Sequence, residues 1–122
     1  MRLLRNKNSR TETIKTPDGI LPITDFLFDG DALVIENEQL GKVELAKEGS
    51  GTPEITVIFS TPLVGLWSPP KKFAPFVCIE PWYGRCDSES FTGELKVRDY
   101  EQSLESGRKF QAEYDIIFGN GE

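Results

Sequence analysis

The alternation of polar and apolar residues near the carboxy-terminal end of the chain constrains the fold most strongly. Over residues 109–118 the apolar side chains occupy every second position, and they are Phe110, Ala112, Tyr114, Ile116 and Phe118. Successive side chains of a β-strand point to opposite faces of the sheet, so this period of two predicts a strand with one buried face in an antiparallel sheet.

Other short apolar runs, divided by clusters of Gly, Pro, Asp and Ser, predict further strands. These runs cover residues 11–15, 20–24, 32–36, 42–47, 54–60, 63–67 and 76–80. Residues 16–19 (Thr-Pro-Asp-Gly) predict a tight turn, and residues 100–104 predict a short helical turn. The sequence therefore predicts an all-β fold, an antiparallel β-sandwich.

Length and charge limit the classes of protein to which the chain can belong. Its 122 residues fit one domain, for which we expect a basic, frayed segment over residues 1–10 and a single β domain over residues 11–122. The net charge is −6, and the start of the chain is basic, so the rest of the chain is strongly acidic. We therefore expect no nucleic-acid partner. No run approaches the ~20 apolar residues of a membrane span, and no apolar stretch follows the basic start as in a signal peptide, so we expect no membrane partner.

The chain contains no histidine, which excludes an imidazole base, a Ser-His-Asp triad and a His-ligated zinc ion. Cys78 and Cys86 have no second pair of cysteines, as a four-cysteine zinc site would need. We expect reduced thiols in a cytoplasmic protein, no metal and no cofactor, although a disulfide between the two cysteines stays open.

Three stretches carry the side chains that could bind a ligand or react. Asp25, Asp29 and Asp31 suggest calcium, but the run lacks the order of an EF-hand loop, and a polar turn before a strand is the favoured interpretation. Trp67 ends a strand before two prolines. It fits either a core side chain, which the spacing favours, or a wall on which a sugar ring stacks.

Glu80 interrupts the apolar run over residues 76–82 immediately before a proline. A carboxylate kept among aromatic side chains suits proton abstraction near neutral pH. It would equally fit an ion pair with Arg85 or Lys71, since an unpaired buried charge is costly. The residues alone leave both interpretations open.

These stretches, in this order, resemble the carboxy-terminal part of the aldose 1-epimerase (galactose mutarotase-like) family, specifically its LacX-like branch. The resemblance runs from about Thr11 and rests on residues 27–33, on Gly-Leu-Trp-Ser at 65–68 and on Phe-Val-Cys-Ile-Glu-Pro-Trp-Tyr-Gly at 76–84, which is the most specific piece. Residues 104–110 also resemble the segment before that family's final strand.

The resemblance implies part of a galactose mutarotase-like supersandwich and a ring-opening reaction at the anomeric centre of a free aldohexose such as galactose or glucose. It implies that Glu80 is the catalytic base and that Asp31 bonds sugar hydroxyls, with Trp67, Trp82 and Phe28 as pocket walls. The family's characteristic histidines, including its general acid, lie in the amino-terminal half of a fold more than twice this length. We therefore expect a carboxy-terminal fragment that is inactive alone.

Two alternatives belong to other classes of protein. The same aromatic and acidic groups could hold a sugar without opening its ring, as in a carbohydrate-binding or interaction module. In addition, half of a large sandwich leaves an apolar sheet face or an open edge exposed, which predicts self-association.

Overall fold

The computed structural model describes residues 1–5 and 10–119, which form two antiparallel β-sheets with almost no helix. This confirms the all-β prediction. The strands are β1 (Arg2–Arg5), β2 (Arg10–Thr13), β3 (Leu33–Ile35), β4 (Lys42–Leu45), β5 (Ile55–Phe59), β6 (Leu63–Trp67), β7 (Cys78–Trp82) and β8 (Tyr114–Phe118). Sheet A has the order β2-β1-β3-β6-β7, and sheet B has the order β4-β5-β8.

The core lies between the two sheets. Its buried side chains come from β3, β5 and β6 and from the turn before β3, and they are Phe28, Leu33, Ile35, Val57, Phe59 and Val64. Leu33 is fully buried, and burying a side chain of this kind contributes roughly 1.5–3 kcal/mol. The apolar strands of the two sheets therefore pack face to face, as a sandwich requires.

A second, smaller cluster covers part of the opposite face of sheet A. Val34 of β3 and Leu63 of β6 are almost fully buried there, and Trp82 and Tyr100 pack against them. Because Val34 lies between Leu33 and Ile35, its side chain points away from the core that those two residues share. Sheet A is thus apolar on both faces at its centre.

The strand predictions agree with the structure in β3, β4, β5 and β6, overlap β2 and β7 with shifted bounds, and differ elsewhere. Residues 20–24 form no strand, and consecutive turns follow them, with hydrogen bonds from Leu27 N to Thr24 O and from Asp29 N to Phe26 O. Segment 16–19 turns as predicted, with a 3-10 turn at Pro17–Gly19. No helical turn forms at residues 101–104, and a 3-10 turn lies earlier, at Leu95–Val97.

The amino-terminal segment contributes a paired strand. β1 (Arg2–Arg5) pairs with β2 on one side and with β3 on the other, so this part of the segment belongs to sheet A. Met1 and Ile14 extend the pairing through two backbone hydrogen bonds of 2.9 and 3.1 Å. The rest of the segment between the two strands lies outside the described residues.

The carboxy-terminal strand pairs antiparallel with β5, but it is shorter and less buried than predicted. It covers only Tyr114–Phe118, and all five of its side chains are exposed. The register places Tyr114, Ile116 and Phe118 on the face that carries Phe59, Val57 and Ile55 of β5. No β8 side chain belongs to the buried core. The core-facing side of sheet B is therefore exposed at β8. The predicted buried face is wrong for this chain.

None of the described residues belongs to a helix long and apolar enough to cross a membrane.

Candidate functional site

The register between β6 and β7 places four candidate site residues on one face of sheet A. Trp67 lies opposite Cys78, Gly65 opposite Glu80, and Leu63 opposite Trp82. Alternation along each strand puts these residues on the face away from the core, because Leu66 and Ile79 pack against the core. We call this surface, formed by Trp67, Cys78, Glu80 and Trp82, the Glu80 face.

Gly65 is required at the centre of the Glu80 face. A Cβ atom at this position would lie 2.7 Å from Cζ2 and 2.8 Å from Cη2 of Trp82, distances that carbon atoms do not adopt without displacement. The missing side chain lets the indole lie across β6, next to the position that Glu80 occupies on β7. Trp82 therefore forms a half-buried aromatic surface beside the carboxylate.

Glu80 is half-buried and lies two residues after Cys78, on the same face of β7. Burial raises the pKa of the Cys78 thiol, and the nearby charge of Glu80 raises it further. Among the side chains of residues 11–119, no cation lies within ion-pair distance of Glu80. Glu80 is therefore a half-buried carboxylate without a cation partner among these residues.

The ion pairs proposed for Glu80 form elsewhere. Arg85 Nε donates to Glu36 Oε1 at 2.5 Å, and Arg85 Nη2 donates to Asp99 Oδ2 at 2.8 Å. Lys71 contacts Asp29 Oδ1 through its backbone amide at 3.2 Å. Of the two interpretations of Glu80, the ion pair with Arg85 or Lys71 is wrong.

Arg85 links the long segment between β7 and β8 to the end of β3. Its guanidinium carbon lies 5.6 Å from the centre of the Tyr100 ring, and the Tyr100 hydroxyl donates to Asn37 Oδ1 at 2.9 Å. Burial raises the pKa of Tyr100, and the nearby charge of Glu36 raises it further. The segment thus covers Val34 beside Trp82 and limits one side of the Glu80 face.

Asp31 lies immediately before β3, at the end of sheet A where β6 ends and β7 begins. It has a positive φ of 88°, and its Oδ1 accepts a hydrogen bond of 2.8 Å from the amide of Ala32. This local bond engages one carboxylate oxygen and leaves the other available. Asp31 is therefore near the Glu80 face along the sheet, without a contact that joins it to Glu80.

Phe28 does not reach the Glu80 face. It is 5% exposed and packs in the core with Leu33 and Ile35, and one edge of it lines a small cavity of about 130 Å³ beside Asp25 and Ser68. Core packing accounts for the apolar side chain at this position.

The remaining candidate ligands for a metal are dispersed. Within residues 1–5 and 10–119, no three His, Cys, Asp or Glu side chains cluster closely enough to hold a metal ion. Asp29 instead accepts the amide of Lys71, as expected of a polar turn. Cys78 and Cys86 are not joined by a disulfide.

Sequence reasoning missed two members of the site. Cys78 carries a signal in its spacing of two residues from Glu80 on one strand, which predicts that both point to the same face. Gly65 gave no comparable signal, because its role depends on the register of β6 with β7. Only the paired strands show that an indole crosses this position.

The fold and this face define an all-β sandwich with a carboxylate and two tryptophans on the outer side of a sheet. No model of a known protein family matches the chain, and no curated protein sequence matches it. One solved structure does: the X-ray structure of a galactose mutarotase related enzyme from Lactobacillus acidophilus, with a TM-score of 0.80 and 27% sequence identity over 98% of this chain. The chain spans 41% of the length of that protein.

Proposed function

We propose that this chain is the carboxy-terminal, base-carrying part of a LacX-like aldose 1-epimerase that acts on the anomeric centre of a free aldose. The observation that carries the proposal is the position of Glu80, a half-buried carboxylate beside Trp67 and Trp82 with no cation bonded to it in residues 11–119. The similarity to a galactose mutarotase related enzyme supports a sugar as the ligand.

In the proposed reaction, Glu80 removes the proton from the anomeric hydroxyl. The bond between the anomeric carbon and the ring oxygen breaks, its electron pair stays on the ring oxygen, and an acid protonates that oxygen. The aldehyde then rotates, and the reverse steps close the ring as the other anomer. The two proton transfers need one base and one acid and no redox cofactor.

This chain supplies the base but not a suitable acid. It contains no histidine, and phenol or ammonium groups with ordinary pKa values of about 10 donate protons slowly near neutral pH. We therefore propose that the isolated chain binds sugar without accelerating anomer exchange, and that the acid belongs to a part of the fold outside these 122 residues.

A free sugar fits this face better than a sugar phosphate. Arg85 and Arg98 are the arginines nearest the site in sequence, and carboxylates already engage both of them. Arg85 bonds Glu36 and Asp99, and Arg98 Nε donates to Asp87 at 2.6 Å. An arginine whose donors are occupied by carboxylates is a poor phosphate ligand, because the carboxylates would have to be displaced. The flat indoles instead suit the apolar face of a hexose ring.

Saturation-transfer NMR on galactose and glucose tests the proposal. We expect saturation to pass from the protein to the sugar in the wild type, with a loss of binding in Trp67→Ala and a weakening in Glu80→Gln. Glu89→Gln, an exposed carboxylate outside the face, is the matched control and should bind as the wild type does. Rapid anomer exchange by the isolated chain, abolished by Glu80→Gln, would contradict the proposed lack of an acid.

The alternative function is a non-catalytic carbohydrate-binding module on the same face. The tryptophans and the open carboxylate would then hold the sugar through stacking and hydroxyl contacts alone. Sugar binding that is unchanged in Glu80→Gln, without anomer exchange even when the chain is joined to the remaining part of a mutarotase-like fold, would favour this alternative.

We also propose that the chain associates with a second copy of itself through β8. This strand is the outer strand of sheet B, so one row of its backbone groups is unpaired, and its core-facing side is uncovered. An antiparallel pair of two β8 strands centred on Ile116 would place Tyr114 opposite Phe118 of the second copy and Asp115 opposite Ile117. No like charges would face each other, and the apolar sides would be continuous.

A further inference from the structure

The loop between β6 and β7, residues 68–77, forms part of the wall of a small cavity that none of the residues of the Glu80 face lines. The cavity has a volume of about 130 Å³, and its walls include Phe28, Phe73 and Phe76. Because a water molecule in the liquid takes up about 30 Å³, this space admits a short alkyl chain. The cavity is therefore separate from the position proposed for the sugar.

Ser68 brings an unused hydroxyl to this cavity. The residue is only 9% exposed, and it lines the cavity. Its side chain makes no hydrogen bond within residues 1–5 and 10–119, and no fully enclosed side-chain polar atom of these residues lacks a partner, so the hydroxyl is not sealed from solvent. A buried hydroxyl is costly without a partner, and for Ser68 the cavity is the side from which a partner can come.

Asp25 adds a negative charge to the same cavity, which it lines together with Ser68. In the described part of the chain, no lysine or arginine forms an ion pair with Asp25. Lys71 and Lys72 of the loop are exposed, and Lys71 contacts the neighbouring turn through its backbone amide, which donates to Asp29 Oδ1 at 3.2 Å. The cavity thus combines an unpaired carboxylate and a hydroxyl with aromatic walls.

The loop holds Phe73 in a costly backbone conformation. Phe73 has a φ of 48° and Lys71 a φ of 57°, in the left-handed region that residues other than glycine rarely adopt. Pro69, Pro70 and Pro75 restrict the backbone on either side of these two residues. Strained backbone concentrates at sites that hold ligands, and a stiff loop presents its aromatic ring with little ordering to be done on binding.

We propose that this cavity binds a small primary alkylammonium ion. The ammonium group donates hydrogen bonds to the Asp25 carboxylate and to the Ser68 hydroxyl oxygen, and the alkyl chain lies against Phe28 and Phe73. A cation fits better than a neutral alcohol, because the carboxylate has no cation partner in the described part of the chain and aromatic faces attract cations. This inference goes beyond the proposed function and does not depend on the role of Glu80.

Titration of ¹⁵N-labelled protein with butylammonium chloride tests the proposal, with the amide shifts of residues 23–28 and 68–76 as the measurement and equal sodium chloride as the reference. We expect saturable shifts with a dissociation constant in the millimolar range, and binding about tenfold weaker for 1-butanol, which has the same chain without the charge. Asp25→Asn should weaken butylammonium binding about tenfold, and Asp18→Asn, an exposed carboxylate outside the cavity, should leave it unchanged. Equal affinity for butanol and butylammonium, or an unchanged affinity in Asp25→Asn, would overturn the proposal.

Ser68→Ala distinguishes a hydroxyl that binds the ligand from one that stabilises the fold. We expect this variant to keep the urea midpoint of the wild type and to bind butylammonium about threefold more weakly or less still. Thr61→Val is the matched comparison. It removes a buried hydroxyl that donates to Leu63 O at 2.7 Å, so it should lower the urea midpoint and leave butylammonium binding unchanged. A lower midpoint with unchanged affinity in Ser68→Ala, or a wild type without saturable shifts, would overturn the proposal whatever the result for sugar binding.

Discussion

The indole of Trp82 lies across Gly65, so closely that a single added methyl group would fall 2.7 Å from its Cζ2 atom. This contact joins β6 and β7 on the side of the sheet away from the core. It also fixes the plane of the aromatic surface beside Glu80, because the indole cannot approach the sheet in this way over any larger residue.

We expect Gly65→Ala to destabilise the chain by about 1–3 kcal/mol, because the added Cβ forces the indole off the sheet. Urea denaturation measures the loss, and the tryptophan emission of the folded state should shift to longer wavelength as Trp82 becomes more solvated. Gly51→Ala is the matched control, since a Cβ there meets no atom within 4 Å. Equal stability of both variants would show that Trp82 does not lie as described.

Loss of the ion pair between Arg85 and Glu36 should release the segment after β7. The two side chains are only 10% and 17% exposed, so Arg85→Met leaves a largely buried carboxylate without its partner, at a cost of about 3 kcal/mol. Chemical denaturation gives the difference. The exposed pair of Lys96 and Glu94 provides the control, and Lys96→Met should cost less than about 0.5 kcal/mol. A similar small cost for both substitutions would contradict a structural role for Arg85.

The proposed pairing of two β8 strands predicts opposite effects for neighbouring substitutions. Ile116→Lys would place two ammonium groups face to face at the centre of the pair and should yield a monomer. Ile117→Lys would place a lysine opposite Asp115 of the second copy and should preserve the dimer. Size-exclusion chromatography with light scattering measures the mass of each. A monomeric wild type, or dimers in both variants, would rule out this arrangement.

Stability should decrease at alkaline pH. Burial is the first cause that raises the pKa of both Cys78 and Tyr100. In the unfolded chain, thiols and phenols lose their protons near about pH 8.5 and 10, whereas the folded state still holds them, so the folded state binds more protons. The free energy of unfolding should therefore be level up to about pH 8 and fall between about pH 8.5 and 11.

Urea titrations at three pH values across that range test this decline. In a variant that combines Cys78→Ala and Tyr100→Phe, the slope against pH should be smaller, even though its stability at neutral pH is lower. A free energy of unfolding that rises over this range, or a slope that the double variant leaves unchanged, would assign the pH dependence to other groups.

Local patterns predicted the strands that are short, apolar and bounded by turns, and β6 was predicted at its observed limits of Leu63–Trp67. Local patterns did not predict the segments whose structure depends on tertiary contacts. Residues 20–24 have the composition of a strand but pair with no strand in the described part of the chain. Arg2–Arg5 has the composition of a solvated end, yet β2 and β3 lie on either side of it and satisfy its backbone.

The candidate site was predictable in its central residue and less so in its surroundings. The sequence indicates Glu80 because an unpaired carboxylate is costly to bury within an apolar run. Its environment depends on which strand lies beside β7 and in which register, and neither follows from residue spacing. The core position of Phe28 was not predictable for the same physical reason, since residue spacing in a turn does not show which apolar side chains lie nearest.

β8 has a consequence for handling the protein. Its sequence, Tyr-Asp-Ile-Ile-Phe, combines strong β-propensity with a single charge, and both its edge and its core-facing side are open to solvent. Segments of this composition stack into cross-β fibrils when nothing covers them. Asp115 is the one charged residue of the strand, so it opposes fibril growth through charge repulsion, and Asp115→Asn should promote aggregation.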